Sequence, residues 1–173
     1  MKTLVVYSSR TGNTRKVAEA IAQVLPNAEI YPVSQAPDAE GYDFVALGYW
    51  VRRGGPNNAS SAYMATVKNA KVALFGTLGA WPDSPHAAQC RQRGEELLKE
   101  PERGNRVLGT FLCQGKVDPK VVEKVQERGD SKHPMTPERM ARLAEAAKHP
   151  DEEDLRQAQE AFRAFLQEAM RGQ

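Results

Sequence analysis

The 173-residue sequence has no apolar run approaching the ~18 residues of a membrane span, no internal repeat and no low-complexity segment. A helical membrane protein, a repeat array and a disordered chain are thereby excluded as readings. Met1 and Lys2 lead at once into an apolar stretch, so no signal peptide is expected. Cysteine is scarce: Cys90 and Cys113 are the only two. A chain of this size needs no disulfide staple, and both are expected to be free thiols in a cytoplasmic protein. Net charge is only +2 and no basic stripe is present, which argues against nucleic acid as a partner. A Gly-Lys-Ser/Thr nucleotide loop and a G-x-G-x-x-G dinucleotide fingerprint are both missing. His86, His133 and His149 lack the spacing of a metal site, and the acids from Asp151 to Asp154 read as a helix start stabilised by the dipole. No metal and no catalytic side chain are expected.

What is present is ordinary for one globular domain: 40% hydrophobic and 27% charged residues. A single domain over 1–173 is the expectation, with 114–150 as a helical insert. Charge is unevenly spread. Residues 1–90 carry eight Lys or Arg against six Asp or Glu, and residues 91–173 carry sixteen of each. Arg10, Arg15, Arg52 and Arg53 fall in or beside the loops that matter below.

Residues 3–7 form a short, β-favouring apolar run without polar alternation, as for a strand covered on both faces. Residues 13–25 place Val17, Ala18, Ile21, Ala22 and Leu25 at helical spacing, stopped by Pro26. Further strands are predicted at 28–33, 44–48, 70–76 and 106–113. A loop is predicted over 49–58, a short helix over 60–67, and a helix capped by Ser84 with Pro85 in its first turn. Asp118-Pro119, Thr136-Pro137 and Pro150-Asp151 each begin a helix. The last of these buries Leu155, Ala158, Phe162, Phe165, Leu166 and Met170 on one face. Five strands alternating with helices predict an α/β, doubly wound parallel sheet with right-handed crossovers. Ligands of such sheets bind outside the carboxyl ends of the strands, which here means the loops after strands one, three and four.

The first of those loops reads Ser8-Ser9-Arg10-Thr11-Gly12-Asn13-Thr14. It combines hydroxyls and a glycine with a helix N-terminus, whose free N–H groups and positive dipole end suit phosphate. Ser9, Thr11 and Thr14 add hydroxyls, and Gly12 permits positive φ. The segment from Ser9 to Thr14 matches the [ST]-x-T-G-x-T phosphate loop of flavodoxins, in the expected place after strand one. The chain therefore resembles the flavodoxin-like FMN-binding family.

That resemblance implies a five-stranded sheet of order 2-1-3-4-5 and one FMN. Its phosphate would lie on Ser9, Arg10, Thr11, Gly12, Asn13 and Thr14. The ring would lie between a loop carrying Tyr49, Trp50, Val51, Arg52 and Gly54 and another carrying Thr77, Leu78, Gly79, Trp81 and Asp83. Both tryptophans of the chain fall in these loops, as large flat rings suited to stacking. The segments Gly48-Tyr49-Trp50-Val51, Phe75-Gly76-Thr77-Leu78-Gly79, Leu112-Cys113-Gln114-Gly115-Lys116 and His149-Pro150-Asp151 are similar to a flavodoxin-domain group from anaerobic bacteria. Some of its members accompany flavin-dependent reductases, including ones acting on linear tetrapyrroles. The implied role is an electron carrier for a partner redox enzyme.

Three departures from well-known flavodoxins qualify the resemblance. The chain is slightly basic where those carriers are acidic, so its partner or its docking differs. Arg52 and Arg53, if they face the flavin, would favour its anionic reduced form. Val51 follows Trp50 where many flavodoxins have a flexible glycine. An alternative on the same fold is a stand-alone NAD(P)H-dependent flavin, quinone or porphyrinogen oxidoreductase, with the insert building a substrate pocket. A third is a cofactor-free binding protein. Cys113, at the end of strand five, is expected to pack rather than react, as is Cys90.

Overall fold

Side chains that are apolar on both faces of a strand need cover on both sides, and the chain supplies it by alternating strands with helices. In the structure, a computed structural model describing residues 1–129, 132 and 134–171, β1 (Thr3–Tyr7), β2 (Ala28–Pro32), β3 (Phe44–Arg52), β5 (Lys71–Leu78) and β6 (Arg106–Gln114) form a parallel sheet. Its order is β2-β1-β3-β5-β6, with the two-residue β4 (Gly55–Pro56) paired antiparallel to β3. The predicted doubly wound topology is thus present, with one small strand added.

Alternation within β3 assigns the two layers. Val45, Leu47 and Tyr49 join a core with Leu4, Val6, Leu74, Met64 and Cys90, beneath α2 (Asn58–Met64) and α3 (Pro85–Glu96). Phe44 and Ala46 join the other core with Val5, Val17, Ile21, Phe75, Cys113, Ala158 and Phe162, beneath α1 (Asn13–Ala22) and α6 (Glu152–Arg171). Phe162 meets the rings of Phe44, Phe75 and Phe165 edge to face, at centroid distances of 6.3, 5.8 and 5.4 Å. Such pairs add to area burial, and they dock α6 on the sheet. The start of α3 is where the sequence places it: Ser84 Oγ accepts from Ala87 N (3.2 Å), with Pro85 in the first turn.

Several elements differ from their predicted bounds: the short helix predicted at 60–67 is Asn58–Met64, the strand predicted at 70–76 is Lys71–Leu78, and the strands predicted at 28–33 and 106–113 are Ala28–Pro32 and Arg106–Gln114. The strand predicted at 44–48 continues to Arg52, so Tyr49, Trp50, Val51 and Arg52 belong to a strand rather than a loop. The extension holds because Tyr49 fits against Gly76 and Gly94, where an added Cβ would meet its ring at 2.9 and 3.4 Å. The helix predicted to Leu25 ends at Ala22.

The insert contains α4 (Pro119–Glu127) and α5 (Pro137–Ala146), whose caps are Asp118 and Thr136. No residue of α4 is buried. His133 lies outside the described residues. The acids that open α6 form a reciprocal cap: Asp154 N donates to Asp151 Oδ1 (2.9 Å) and Asp151 N donates to Asp154 Oδ2 (2.8 Å). His149 Nδ1 donates to the same Asp154 oxygen at 2.5 Å. Asp151 and Asp154 thus cap the start of α6 and hold His149.

Candidate functional site

The carboxyl ends of β1, β3, β5 and β6 converge on one cleft. Its first wall is the turn between β1 and α1. Gly12 sits at φ 98°, and α1 begins there with no side-chain cap. Gly12 N donates to Ser9 Oγ (3.1 Å), folding the loop back on itself. The first N–H of α1 bonded within the helix is that of Lys16, to Gly12 O (3.1 Å). The helix start therefore presents backbone donors and a positive dipole end to the cleft, beside the hydroxyl residues Ser9, Thr11 and Thr14. An oxyanion is the ligand chemistry these groups fit.

The second wall is the end of β3. Ser8 N donates to Gly48 O (3.2 Å), and Asn57 fastens the turn that follows: its Nδ2 donates to Ser8 Oγ (2.9 Å), and its Oδ1 accepts from Ser60 Oγ (3.0 Å). Trp50 and Val51 line the cleft from this side. The third wall, Thr77, Leu78 and Gly79, ends β5. The Thr14 and Thr77 hydroxyls bond at 2.8 Å, both residues being buried, and tie the first wall to the third.

A fourth wall comes from the turn after β6. Gly115, Lys116, Val117, Asp118 and Val121 close a cleft of about 600 Å³, measured open to solvent. Asn13 Nδ2 donates to Lys116 O (3.0 Å) and Arg10 pairs with Asp118 (3.5 Å), so the turn is fastened to the first wall at two points. Gly115 is required for that approach: a Cβ there would lie 2.8 Å from Asn13 Nδ2. Lys116 N donates to His149 O (3.0 Å), and Arg142 of α5 donates to Gly79 O (3.2 Å). Burial, and then the neighbouring charge of Arg139, holds the Arg142 pKa below the usual arginine range.

The family model described as a flavodoxin domain matches residues 4–163. The chain belongs to the flavodoxin domain family. It is similar to the flavodoxin-like domain-containing protein BilS of Clostridioides difficile (strain CD3), at 34% identity over 91% of this chain and 92% of that protein. A protein of the same description from Clostridium symbiosum (strain WAL-14163) is 30% identical over 72% of this chain and 73% of its own. Among solved structures, oxidised flavodoxin 2 from Bacillus cereus is similar with a TM-score of 0.62 and 20% identity, over 97% of this chain and 99% of that one. A flavoprotein from Lactobacillus acidophilus NCFM, solved in complex with FMN, gives a TM-score of 0.53 at 20% identity, over 71% and 97%. These two likenesses establish the flavodoxin fold.

Within this flavodoxin domain, ten predicted site residues come together in the cleft: Ser9, Arg10, Thr11, Asn13, Thr14, Trp50, Val51, Thr77, Leu78 and Gly79. Gly12 shapes the first wall through its backbone. Five others stand elsewhere. Tyr49 is fully buried in the core under α3, in the space left by Gly76 and Gly94. Burial pushes its hydroxyl pKa up. Arg52 lines a separate depression with Arg53 and Arg93, and Gly54 forms the hairpin turn. Trp81 is 44% exposed, and Asp83 is exposed with it on the outer part of the turn before α3. Neither lines the cleft among the described residues. The fourth wall was not foreseen. Its signal was the strand end at Gln114 followed directly by the Asp118-Pro119 helix start, the same strand–turn–helix arrangement as after β1. Cys113 is 2% exposed, and burial pushes its thiol pKa well up, consistent with packing.

Proposed function

We propose that this flavodoxin domain binds one FMN and carries electrons to a partner redox enzyme, of the flavin-dependent reductase class. The observation that carries the proposal is the start of α1: backbone donors without a side-chain cap and three hydroxyl residues at one end of a cleft whose other surfaces are Trp50, Val51, Leu78, Val117 and Val121. A phosphate meets the polar end, and a flat aromatic ring meets the apolar remainder. Ser9, Thr11, Asn13 and Thr14 would hold the phosphate, with Arg10 supplying charge. Trp50, Val51, Leu78 and Gly79 would bound the ring. Bound FMN supplies the electron chemistry, while the chain binds it, shields it and sets its surroundings.

The chain's own residues do two further things. The Thr14–Thr77 hydroxyl bond couples the phosphate end to the ring end. Asn13, whose amide holds Lys116 O, couples both to the fourth wall. The FMN complex of the Lactobacillus acidophilus flavoprotein supports the reading by fold.

Titrating the purified apoprotein with FMN, followed by quenching of flavin fluorescence, tests it. A one-to-one endpoint is expected, with riboflavin, which lacks the phosphate, binding at least ~10-fold more weakly. Equal affinity for riboflavin, or no quenching by FMN, overturns the phosphate reading. Steady NADPH turnover by the loaded protein alone overturns the carrier role in favour of a stand-alone oxidoreductase.

A further inference from the structure

Beyond the cleft, β3 continues into a hairpin whose tip is unusual in composition. Arg52 pairs with Gly55 across the turn, leaving Arg53 and Gly54 as its two central residues, both at positive φ (51° and 81°). Asn-Gly is the ordinary solution to such a turn, since asparagine tolerates that region and longer L side chains are rare there. An arginine occupies it here. Arg93, on α3, donates from Nη1 to the carbonyls of Arg53 (3.1 Å) and Gly54 (3.3 Å), fixing the tip in place.

Arg52, Arg53 and Arg93 line one depression, with Glu96 and Glu100 as the acids beside them. Glu100 is paired with Arg103, and Glu96 accepts from Gln92. None of the three arginines has an ion pair within 4.0 Å among the described residues, whereas Arg10, Arg15, Arg103, Arg106 and Arg156 all do. Arg52 and Arg53 are also exposed. Three guanidiniums on one depression outnumber its two acids, one of which is paired with Arg103, and none of the three is itself ion-paired among the described residues; with one of them at a backbone cost, the surface is organised for carboxylates from outside. Trp50 and Val51, which line the cleft, directly precede this hairpin. A partner seated on it would stand beside the cleft.

We propose that the Arg52–Arg53 hairpin, braced by Arg93, is the docking surface for an acidic face of the protein partner. The proposal places the docking charges outside the cofactor cleft, and it rests on the carrier reading only for the identity of the partner as a redox enzyme. The probe is fluorescein-labelled decaglutamate, read by fluorescence anisotropy at low salt, which needs no flavin. The double variant Arg52→Gln/Arg53→Asn removes both charges while giving the turn its ordinary Asn-Gly residues. The control Arg163→Gln/Arg171→Gln removes two charges from α6, on the other face of the sheet.

The expected result is salt-sensitive binding to the natural chain, on the order of tenfold weaker in the hairpin variant and unchanged in the control. FMN quenching is titrated on the same samples and should be the same in all three. Equal losses in both variants, or no binding to the natural chain, overturn the proposal. Tighter binding of labelled decathymidylate than of decaglutamate overturns it in favour of a nucleic-acid surface. Loss of FMN quenching in the hairpin variant overturns the separation of docking from the cleft. Failure of FMN to bind any of the three, with peptide binding intact, strikes the carrier reading alone.

Discussion

Replacing Thr14 with valine keeps the side-chain volume but removes one hydroxyl from a pair that is 2.8 Å apart and closed to solvent, Thr14 being 1% and Thr77 4% exposed. The Thr77 hydroxyl would then be buried without its partner. An orphaned buried hydroxyl costs about 1–3 kcal/mol, more than the net value of the bond itself, because its lost hydration is not repaid. For a domain of this length, ~2 kcal/mol corresponds to a fall in Tm of about 4–8 °C. Thr77→Val should cost a similar amount from the other side. The double replacement removes both polar groups and leaves two methyl-bearing side chains in contact, so its cost should fall well below the sum of the singles. A coupling of roughly 1–2 kcal/mol is expected. Urea unfolding of the four apoproteins, with m-values compared to confirm two-state behaviour, supplies the cycle. Additive costs, or single variants as stable as the natural chain, would refute the claim that this bond ties the first wall of the cleft to the third.

Tyr49→Phe should leave stability unchanged or raise it by up to ~1 kcal/mol, since the Tyr49 hydroxyl is buried without a hydrogen-bond partner; a clear loss in urea unfolding would refute the core assignment. His149 gives a pH signature. Its bond to Asp154, and then that to Glu145, raise its pKa above 6.5 in the folded chain. The folded state therefore holds this proton more tightly than the unfolded chain does. The resulting stability is complete below about pH 6.5 and is lost as pH rises through the higher folded value. The Tm advantage of the natural chain over His149→Gln should accordingly shrink from pH ~6 to ~9; a constant difference would refute it.

Most of the sheet was readable because β1, β3 and β5 are built on short apolar runs, as strands covered on both faces must be. The loop from Ser9 to Thr14 was readable because a phosphate-binding turn is local: its chemistry sits in consecutive residues. Tyr49 was not. Whether an aromatic side chain enters a cleft or a core depends on strand parity and on the glycines opposite, here Gly76 and Gly94, which lie far along the chain. Trp81 illustrates the same limit from the other side, since a tryptophan in a suitable loop can still turn outward. The fourth wall depends on Asn13 reaching Lys116, a contact between residues 103 positions apart. Nothing local to Gly115 or Val117 announces it.

That contact also orders events in time. In a chain still being synthesised the residues of β1, the phosphate turn and α1 emerge first, followed by β2, β3 and β5. The cleft has no fourth wall until Gly115 to Val121 have emerged, and α6, which packs on α1, comes last. A nascent chain stopped before residue 115 would show the phosphate turn to solvent with one side open. A flavin held by all four walls would therefore report that the carboxyl-terminal third of the chain has arrived and docked.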